Sequence, residues 1–323
     1  MNLGSLSITF PFIMAPMAGY TDLPFRLLVR KLGCDLACTE MVSAEGLVRG
    51  ISQTRALLRT TAEDHPLSVQ LFGCKAEVMA QAAVMAEESG ADIIDINMGC
   101  PVKKVIKSGA GASLLKDLKI AEALIRAVRK ATTLPLTIKI RSGWKEGEPV
   151  YPTLARIAQD AGVDGLVIHP RYAVQRFTGK ADWSVVSELK ERLQIPVVGS
   201  GDITAPGQAL ELKKRTNCDG IMIGRQALRA PWIFKQIREM ESGAPLSDPD
   251  PETRKKWLCS YWEWVEENYQ GPAQIKALRR TLFVLTRGLP ASGEFRQNVA
   301  LARRRESLKT LFEEYFDSLA SLE

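Results

Sequence analysis

Eight short apolar runs recur along the first part of the chain, at residues 12–16, 36–40, 67–72, 92–97, 136–141, 166–169, 196–200 and 220–224. Several have no alternation, as in Ile93-Ile94, Leu166-Val167-Ile168 and Ile221-Met222-Ile223. Parallel strands covered on both faces read this way, because neither side meets water. The stretches between them carry helical period: 76–89 puts Val78, Met79, Ala82, Ala83 and Ala86 on one stripe, and 119–131 and 206–216 behave alike. Eight strands alternating with helices predict an α/β protein built as a closed (β/α)8 TIM barrel. An open doubly wound sheet is the runner-up, weakened because Met14-Ala15-Pro16-Met17-Ala18-Gly19 stands where a Gly-x-Gly-x-x-Gly turn would follow the first strand.

Near residue 243 the pattern changes. Gly243-Ala244-Pro245 and Ser247-Asp248-Pro249-Asp250-Pro251 form a polar, proline-rich connector, and no strand signal follows it. Residues 252–269, 273–288 and 294–320 read as three helices, in the last of which Leu308, Leu311, Phe312, Tyr315 and Leu319 recur at helical spacing. The expected division is a barrel over 1–243 and a small C-terminal helical bundle over 244–323.

Composition changes this picture little. With 46% hydrophobic and 25% charged residues among 323, disordered and fibrous classes are excluded. Residues 1–21 carry no charged side chain, yet Gly4, Pro11, Pro16 and Gly19 interrupt them, so neither a membrane span nor a signal peptide is expected. The six cysteines form no Cys-x-x-Cys pair, which predicts no metal and reduced thiols in a cytoplasmic protein.

Charge matters more by position than by sum. The net +6 falls formally on the barrel, but the tail holds nine basic residues between Lys276 and Lys309 against Glu294 and Glu306. Such a cluster suits a phosphate-binding surface and equally a solvated helix face.

In a barrel of this kind the reactive groups lie at the C-terminal ends of the strands. Polar residues closing the runs include Gln70, Asn97, Lys139, Arg141, His169, Ser200, Gly201, Asp202, Gly224 and Arg225. The glycine turns after the last two runs match a phosphate cradle, where the backbone must approach an anion. Lys139 interrupts an apolar run, and alternation sends it into the barrel with Arg141 beyond it. A buried lysine calls for an anion, such as a reduced flavin ring, unless it snorkels to solvent. Cys100 follows a strand end in a basic loop expected to be mobile, and a thiol of ordinary pKa can donate a proton. Cys34, Cys38, Cys74, Cys218 and Cys259 are expected to pack, and His65 to lie on the surface.

Four stretches together strongly resemble the tRNA-dihydrouridine synthases, most closely the bacterial B-type subfamily. They are Ala15-Pro16-Met17-Ala18-Gly19-Tyr20-Thr21-Asp22, Asp95-Ile96-Asn97-Met98-Gly99-Cys100-Pro101-Val102-Lys103-Lys104-Val105, Lys139-Ile140-Arg141-Ser142-Gly143-Trp144 and Gly201-Asp202-Ile203. The resemblance implies an FMN-containing barrel whose helical tail helps to clasp tRNA, with NADPH reducing the flavin and D-loop uridines becoming 5,6-dihydrouridine. It implies FMN contacts from Pro16, Met17, Ala18, Gln70, Lys139, His169, Ser200, Gly201, Asp202, Gly224 and Arg225, uracil contacts from Asn97 and Arg141, and a proton from Cys100 to C5 after hydride reaches C6. A monomer is expected. One departure is His169-Pro170-Arg171 where relatives read His-Gly-Arg, since proline offers no N–H. The rival readings are a flavin barrel reducing a small pyrimidine or enone, and a non-enzymatic RNA-binding protein.

Overall fold

The computed structural model describes residues 1–321. Eight strands form the barrel: β1 (Phe12–Met14), β2 (Leu36–Cys38), β3 (Leu67–Phe72), β4 (Ile93–Met98), β5 (Leu136–Gly143), β6 (Gly165–Tyr172), β7 (Val197–Ser200) and β8 (Gly220–Ile223). Each pairs in parallel with the next, β8 pairs with β1, and β2 pairs with β3, so the sheet closes on itself. Each predicted run overlaps a strand, and closure rules out the open sheet.

The helices that cover the outer face are α1 (Leu23–Lys31), α2 (Ala76–Glu88), α3 (Leu118–Ala131), α4 (Tyr151–Asp160), α5 (Ser184–Arg192), α6 (Pro206–Thr216) and α7 (Ile233–Glu241). Between β2 and β3 the crossover is made instead of short helical pieces and a two-residue strand, Val42–Ser43. Outward-facing Ile138, Ile140, Leu166 and Ile168 join the large core beneath these helices.

Inward-facing positions fall into two kinds. Ile13, Leu36, Ile93, Val167, Val198 and Met222 make a separate apolar cluster at the N-terminal end of the barrel, with Leu3 and Ile8 packed against it. Leu3 belongs to an antiparallel hairpin of Asn2–Leu3 and Leu6–Ser7, and Ile8 follows it directly. This hairpin seals the barrel floor, and the hydrophobic pattern did not predict it. Above this layer the same strands place Gln70, Asp95, Asn97, Thr137, Arg141 and His169, all buried. Period-two alternation therefore stacks a dry floor under a polar mouth.

Four helices follow the connector: α8 (Pro251–Asn268), α9 (Gly271–Leu285), α10 (Ser292–Leu301) and α11 (Arg305–Ala320). The single helix expected over 294–320 is thus two. Ala302 is extended, with φ −61° and ψ 127°, and its carbonyl accepts a hydrogen bond from Arg279, so the chain turns there. The bundle docks on the barrel through Arg280, whose Nη2 reaches both oxygens of Asp22 at 2.8 and 2.7 Å while Nη1 donates to the Gly19 carbonyl at 2.6 Å.

A second buried ion pair anchors the same loop after β1. Arg26 donates to Asp64 at 2.9 and 2.6 Å and to the Thr21 carbonyl at 2.9 Å, and Arg30 reaches the other Asp64 oxygen at 3.1 Å. Asp64 is fully buried, so its removal strands two guanidinium groups. Asp64→Ala should lose about 3–5 kcal/mol in urea unfolding, the range for orphaning one partner of a buried pair.

Candidate active site

A cavity of about 960 Å³ opens at the C-terminal ends of the strands. Pro16, Met17 and Ala18 after β1 line it, with Gln70 of β3, Asn97 and Cys100 at the end of β4, and Lys139 and Arg141 of β5. His169 of β6, Ser200, Gly201 and Asp202 after β7, and Gly224 and Arg225 after β8 complete the set of sequence-predicted residues. All of them are brought to one cavity.

Lys139 and Arg141 stand two apart on β5 and so point to the same side. Burial and the neighbouring Arg141 charge push the Lys139 ammonium down to about 8. Arg141, 2% exposed, donates Nε to the Gly99 carbonyl at 2.9 Å and Nη1 to the Tyr172 carbonyl at 3.2 Å. Neither cation forms an ion pair among the described residues.

Arg171, which closes the His169-Pro170-Arg171 stretch and was given no site role from sequence, organises the far wall. The strand was expected to end at His169, yet β6 continues to Tyr172, with an irregularity in its pairing to β5 between Arg141 and Gly143. A ladder break next to Pro170 accommodates a residue that has no N–H to give. Two residues beyond His169 on the same face, Arg171 is 2% exposed and sends Nη2 to both oxygens of Asp202 at 2.8 and 2.7 Å. The i, i+2 spacing that pointed to Arg141 after Lys139 could have found it. Asp202 also accepts from the Ala181 N–H at 2.8 Å and from Arg225 at 3.3 Å. Burial alone would raise its carboxyl, but these donors bring it below the usual carboxylate value.

His169 Nε2 lies 3.0 Å from Nη1 of Arg171. Arginine can only donate, so Nε2 accepts and the ring proton sits on Nδ1. Burial, followed by the charges of Lys139, Arg141, Arg171 and Arg225, holds the ring far below its ordinary value and therefore neutral. Gly201, at φ +125°, leaves no room for a side chain, since a Cβ would sit 3.0 Å from the His169 ring and from Ala181. Phe177, also unpredicted, is 53% exposed at the mouth, with the guanidinium carbons of Arg141 and Arg225 each 5.5 Å from its ring centroid.

Cys100 is half-buried, and its N–H donates to Asn97 Oδ1 at 2.9 Å. Burial pushes the thiol above its ordinary value despite the Val102 backbone and the Arg141 and Lys139 charges, which keeps the proton on sulfur at neutral pH. The segment after it, expected as a loop, forms a short helix, Lys103–Lys107, and a 3-10 stretch, Gly111–Lys116. Of the other cysteines, Cys34, Cys38 and Cys218 are buried as expected, but Cys74 is half-buried and Cys259 exposed, which corrects the packing assignment for the last. His65 is at the surface, with Nδ1 2.6 Å from Asp92.

Beside this cavity a groove of about 760 Å³ runs between barrel and bundle. Arg225 and Arg229 line both spaces, and Lys276, Arg279, Arg280 and Arg303 come from the bundle. No carboxylate is among the groove's lining residues. Only four of the nine basic residues of the cluster seen in sequence line the groove; of the others, Arg305 is bound to Glu266. Among the described residues no group of His, Cys, Asp or Glu could hold a metal, and no helix is long and apolar enough to cross a membrane.

Fold and site together define a (β/α)8 barrel with a cation-lined ligand cavity at its catalytic end and a basic groove beside it. A family model described as dihydrouridine synthase matches residues 13–320. A tRNA-dihydrouridine synthase B of Xanthomonas axonopodis pv. citri is 37% identical over 320 residues, 99% of this chain and 96% of that protein. A probable tRNA-dihydrouridine synthase of Rickettsia bellii is 34% identical over 325 residues, covering both chains completely. An old yellow enzyme homologue from Zymomonas mobilis shares the barrel with a TM-score of 0.57 at 15% identity, covering 80% of this chain and 94% of that one. The chain belongs to the dihydrouridine synthase family, and it is an enzyme.

The His169 environment has a consequence for stability. Because the folded value lies below the unfolded value of about 6.5, the neutral ring stabilises fully above that pH, and the contribution is lost as pH falls beneath it. Relative to His169→Gln, the wild-type protein should lose about 1.4 kcal/mol of unfolding free energy per pH unit below about 6, measured by urea titration from pH 8 to 5.

Proposed function

We propose that the protein is a tRNA-dihydrouridine synthase that uses FMN and NADPH to reduce a D-loop uridine, acting as a cytoplasmic monomer. The observation that carries this reading is a protonated thiol at the rim of a cavity holding two desolvated cations without carboxylate partners. Family membership and the names of the relatives point the same way.

The cavity's residues fit a flavin nucleotide. Lys139 would meet a ring that becomes anionic on reduction, and the glycines after β7 and β8 would leave backbone accessible to a phosphate. Pro16, Met17, Ala18, Gln70, His169, Ser200, Gly201, Asp202, Gly224 and Arg225 would complete the contacts. Neutral His169, with Nδ1–H available, would donate a hydrogen bond, and the Arg171–Asp202 pair would hold the turn after β7 in shape. When bound, and reduced by NADPH, the flavin supplies hydride to C6 of the uracil.

The chain's own residues then have three tasks. Cys100 gives its proton to C5 from the face opposite the hydride, which completes the addition of two hydrogens across the 5,6 bond. Arg141 meets the carbonyl oxygen on which charge gathers. Asn97, expected as a uracil contact, has Oδ1 committed to the Gly99 and Cys100 N–H groups and Nδ2 to Gln70 and Met41. Its contact with a base would therefore replace the weak sulfur interaction.

Such chemistry requires the base to leave its stack, since a paired ring cannot reach the cavity. The acid-free groove would hold phosphates of the tRNA while exposed Tyr20 and Phe177 offer aromatic faces near the mouth.

Cys100→Ala should retain bound flavin and its reduction by NADPH while dihydrouridine formation falls by about 10²-fold or more, the usual size of a general-acid contribution. Undiminished turnover would remove the cysteine from the reaction. Charge reversal of Lys276 and Arg303 should weaken tRNA binding and make the slope of log affinity against log salt shallower, by about 0.9 for each phosphate no longer neutralised, leaving NADPH oxidation unchanged.

A further inference from the structure

Asp95 is a fully enclosed acidic residue in β4, its carboxyl raised above the ordinary value by burial, and the reaction described above does not use it. Its two oxygens have different partners. Thr137 donates its hydroxyl to Oδ1 at 2.6 Å, and Gln70 Nε2 donates to Oδ2 at 2.6 Å. The opposite end of the Gln70 amide, Oε1, accepts from Asn97 Nδ2 at 2.7 Å. Asn97 Oδ1 in turn accepts the N–H groups of Gly99 at 3.1 Å and Cys100 at 2.9 Å.

The chemistry of the two ends determines the direction of the whole chain of bonds. Backbone N–H groups only donate, so Asn97 must turn its oxygen to the Cys100 turn and its nitrogen to Gln70. Gln70 must then present oxygen to Asn97 and nitrogen to Asp95, whose Oδ2 accepts in either protonation state of the carboxyl. Each amide could rotate by half a turn in isolation, but neither can do so without facing like groups against each other at one end. A run of this kind, with every member satisfied, is rigid, whereas removal of one acceptor leaves a buried amide free to reorient.

We propose that Asp95 is a positioning residue for the proton transfer: acting through Gln70 and Asn97, it holds the Cys100 turn, and so the thiol, in place. The inference rests on Cys100 as the proton donor but concerns a group that does not line the cavity. Asp95 supplies an acceptor at the foot of the chain, and the polarity of the two amides carries its effect to the turn at the end of β4.

The test is the alkylation rate of Cys100 by iodoacetamide in the folded protein at fixed pH, read by peptide mass spectrometry so that the exposed Cys259 is scored separately. Asp95→Leu keeps the size of the side chain but removes the acceptor, and should raise the Cys100 rate about tenfold, the equivalent of one missing hydrogen bond. Thr137→Val removes the other partner of Asp95 and leaves the bond to Gln70, so it should change the rate less than about twofold. Asp95→Asn can keep an oxygen on Gln70 while the Thr137 hydroxyl turns to accept, and should rescue the wild-type rate. Dihydrouridine formation at saturating tRNA should slow in Asp95→Leu with the KM for tRNA unchanged. If Asp95→Leu does not fold, Asp95→Val, β-branched and suited to a strand, replaces it: the Cys100 rate should rise in Asp95→Val and stay at the wild-type value in Asp95→Asn. Equal Cys100 rates in wild type and in Asp95→Leu (or its Asp95→Val substitute), or equal effects of Thr137→Val and the apolar Asp95 variant, would overturn the proposal. Retained turnover in Cys100→Ala would instead defeat the proton-donor reading, while the alkylation result would still stand for the relay.

Discussion

Two positive charges inside the barrel mouth, Lys139 and Arg141, set the terms for everything around them. Desolvation disfavours both, enough to bring the lysine down to about 8 and the arginine down to about 10. A cation held this way is tolerated when something anionic arrives to meet it. The rest of the cavity is consistent with that demand. Asp202, a carboxylate on its wall, is taken up by Arg171, and His169 is kept neutral. Asp95 favours the Lys139 charge from below, but neither Lys139 nor Arg141 is ion-paired among the described residues, so positive charge remains available to a ligand.

Strand alternation makes this arrangement possible. The inward positions of a barrel strand lie two residues apart, so one strand can present an apolar residue to the floor and polar ones to the mouth. β6 does so with Val167 below and His169 and Arg171 above, and β4 with Ile93 below and Asp95 and Asn97 above. The N-terminal hairpin closes the floor with Leu3, leaving the catalytic end as the open face. On that face the loop after β1 is held twice, by Arg26 with Asp64 from beneath and by Arg280 with Asp22 from the bundle. The same loop supplies Pro16, Met17 and Ala18 to the cavity, so the bundle's placement and the cavity's shape are joined through one short segment.

The barrel was legible in the sequence because strands covered on both faces leave apolar runs that helices cannot imitate at that length. Lys139 and Arg141 were legible for the opposite reason, as charges where such a run should have none. The hairpin of Asn2–Leu3 and Leu6–Ser7 was not, since two-residue strands leave no period to detect. The role of Arg171 was not legible because Pro170 reads as a strand end, and only the break in pairing with β5 lets the strand run through it. The division of the last helix at Ala302 depends on a carbonyl captured by Arg279 from another helix, a long-range interaction with no local signal. Asp95 lay within a stretch that carried the family resemblance, but its partners Gln70 and Thr137 belong to other strands, and its role emerges only when the three are side by side.

The central claim is that this cavity reduces a uridine presented by tRNA. Purified protein incubated with an unmodified tRNA transcript and NADPH, followed by mass mapping of the RNA, tests it most directly. The account predicts a gain of two hydrogens on a D-loop uridine, with no comparable reduction of free uracil under the same conditions. An unchanged transcript, or free uracil reduced as readily as the tRNA, would contradict it.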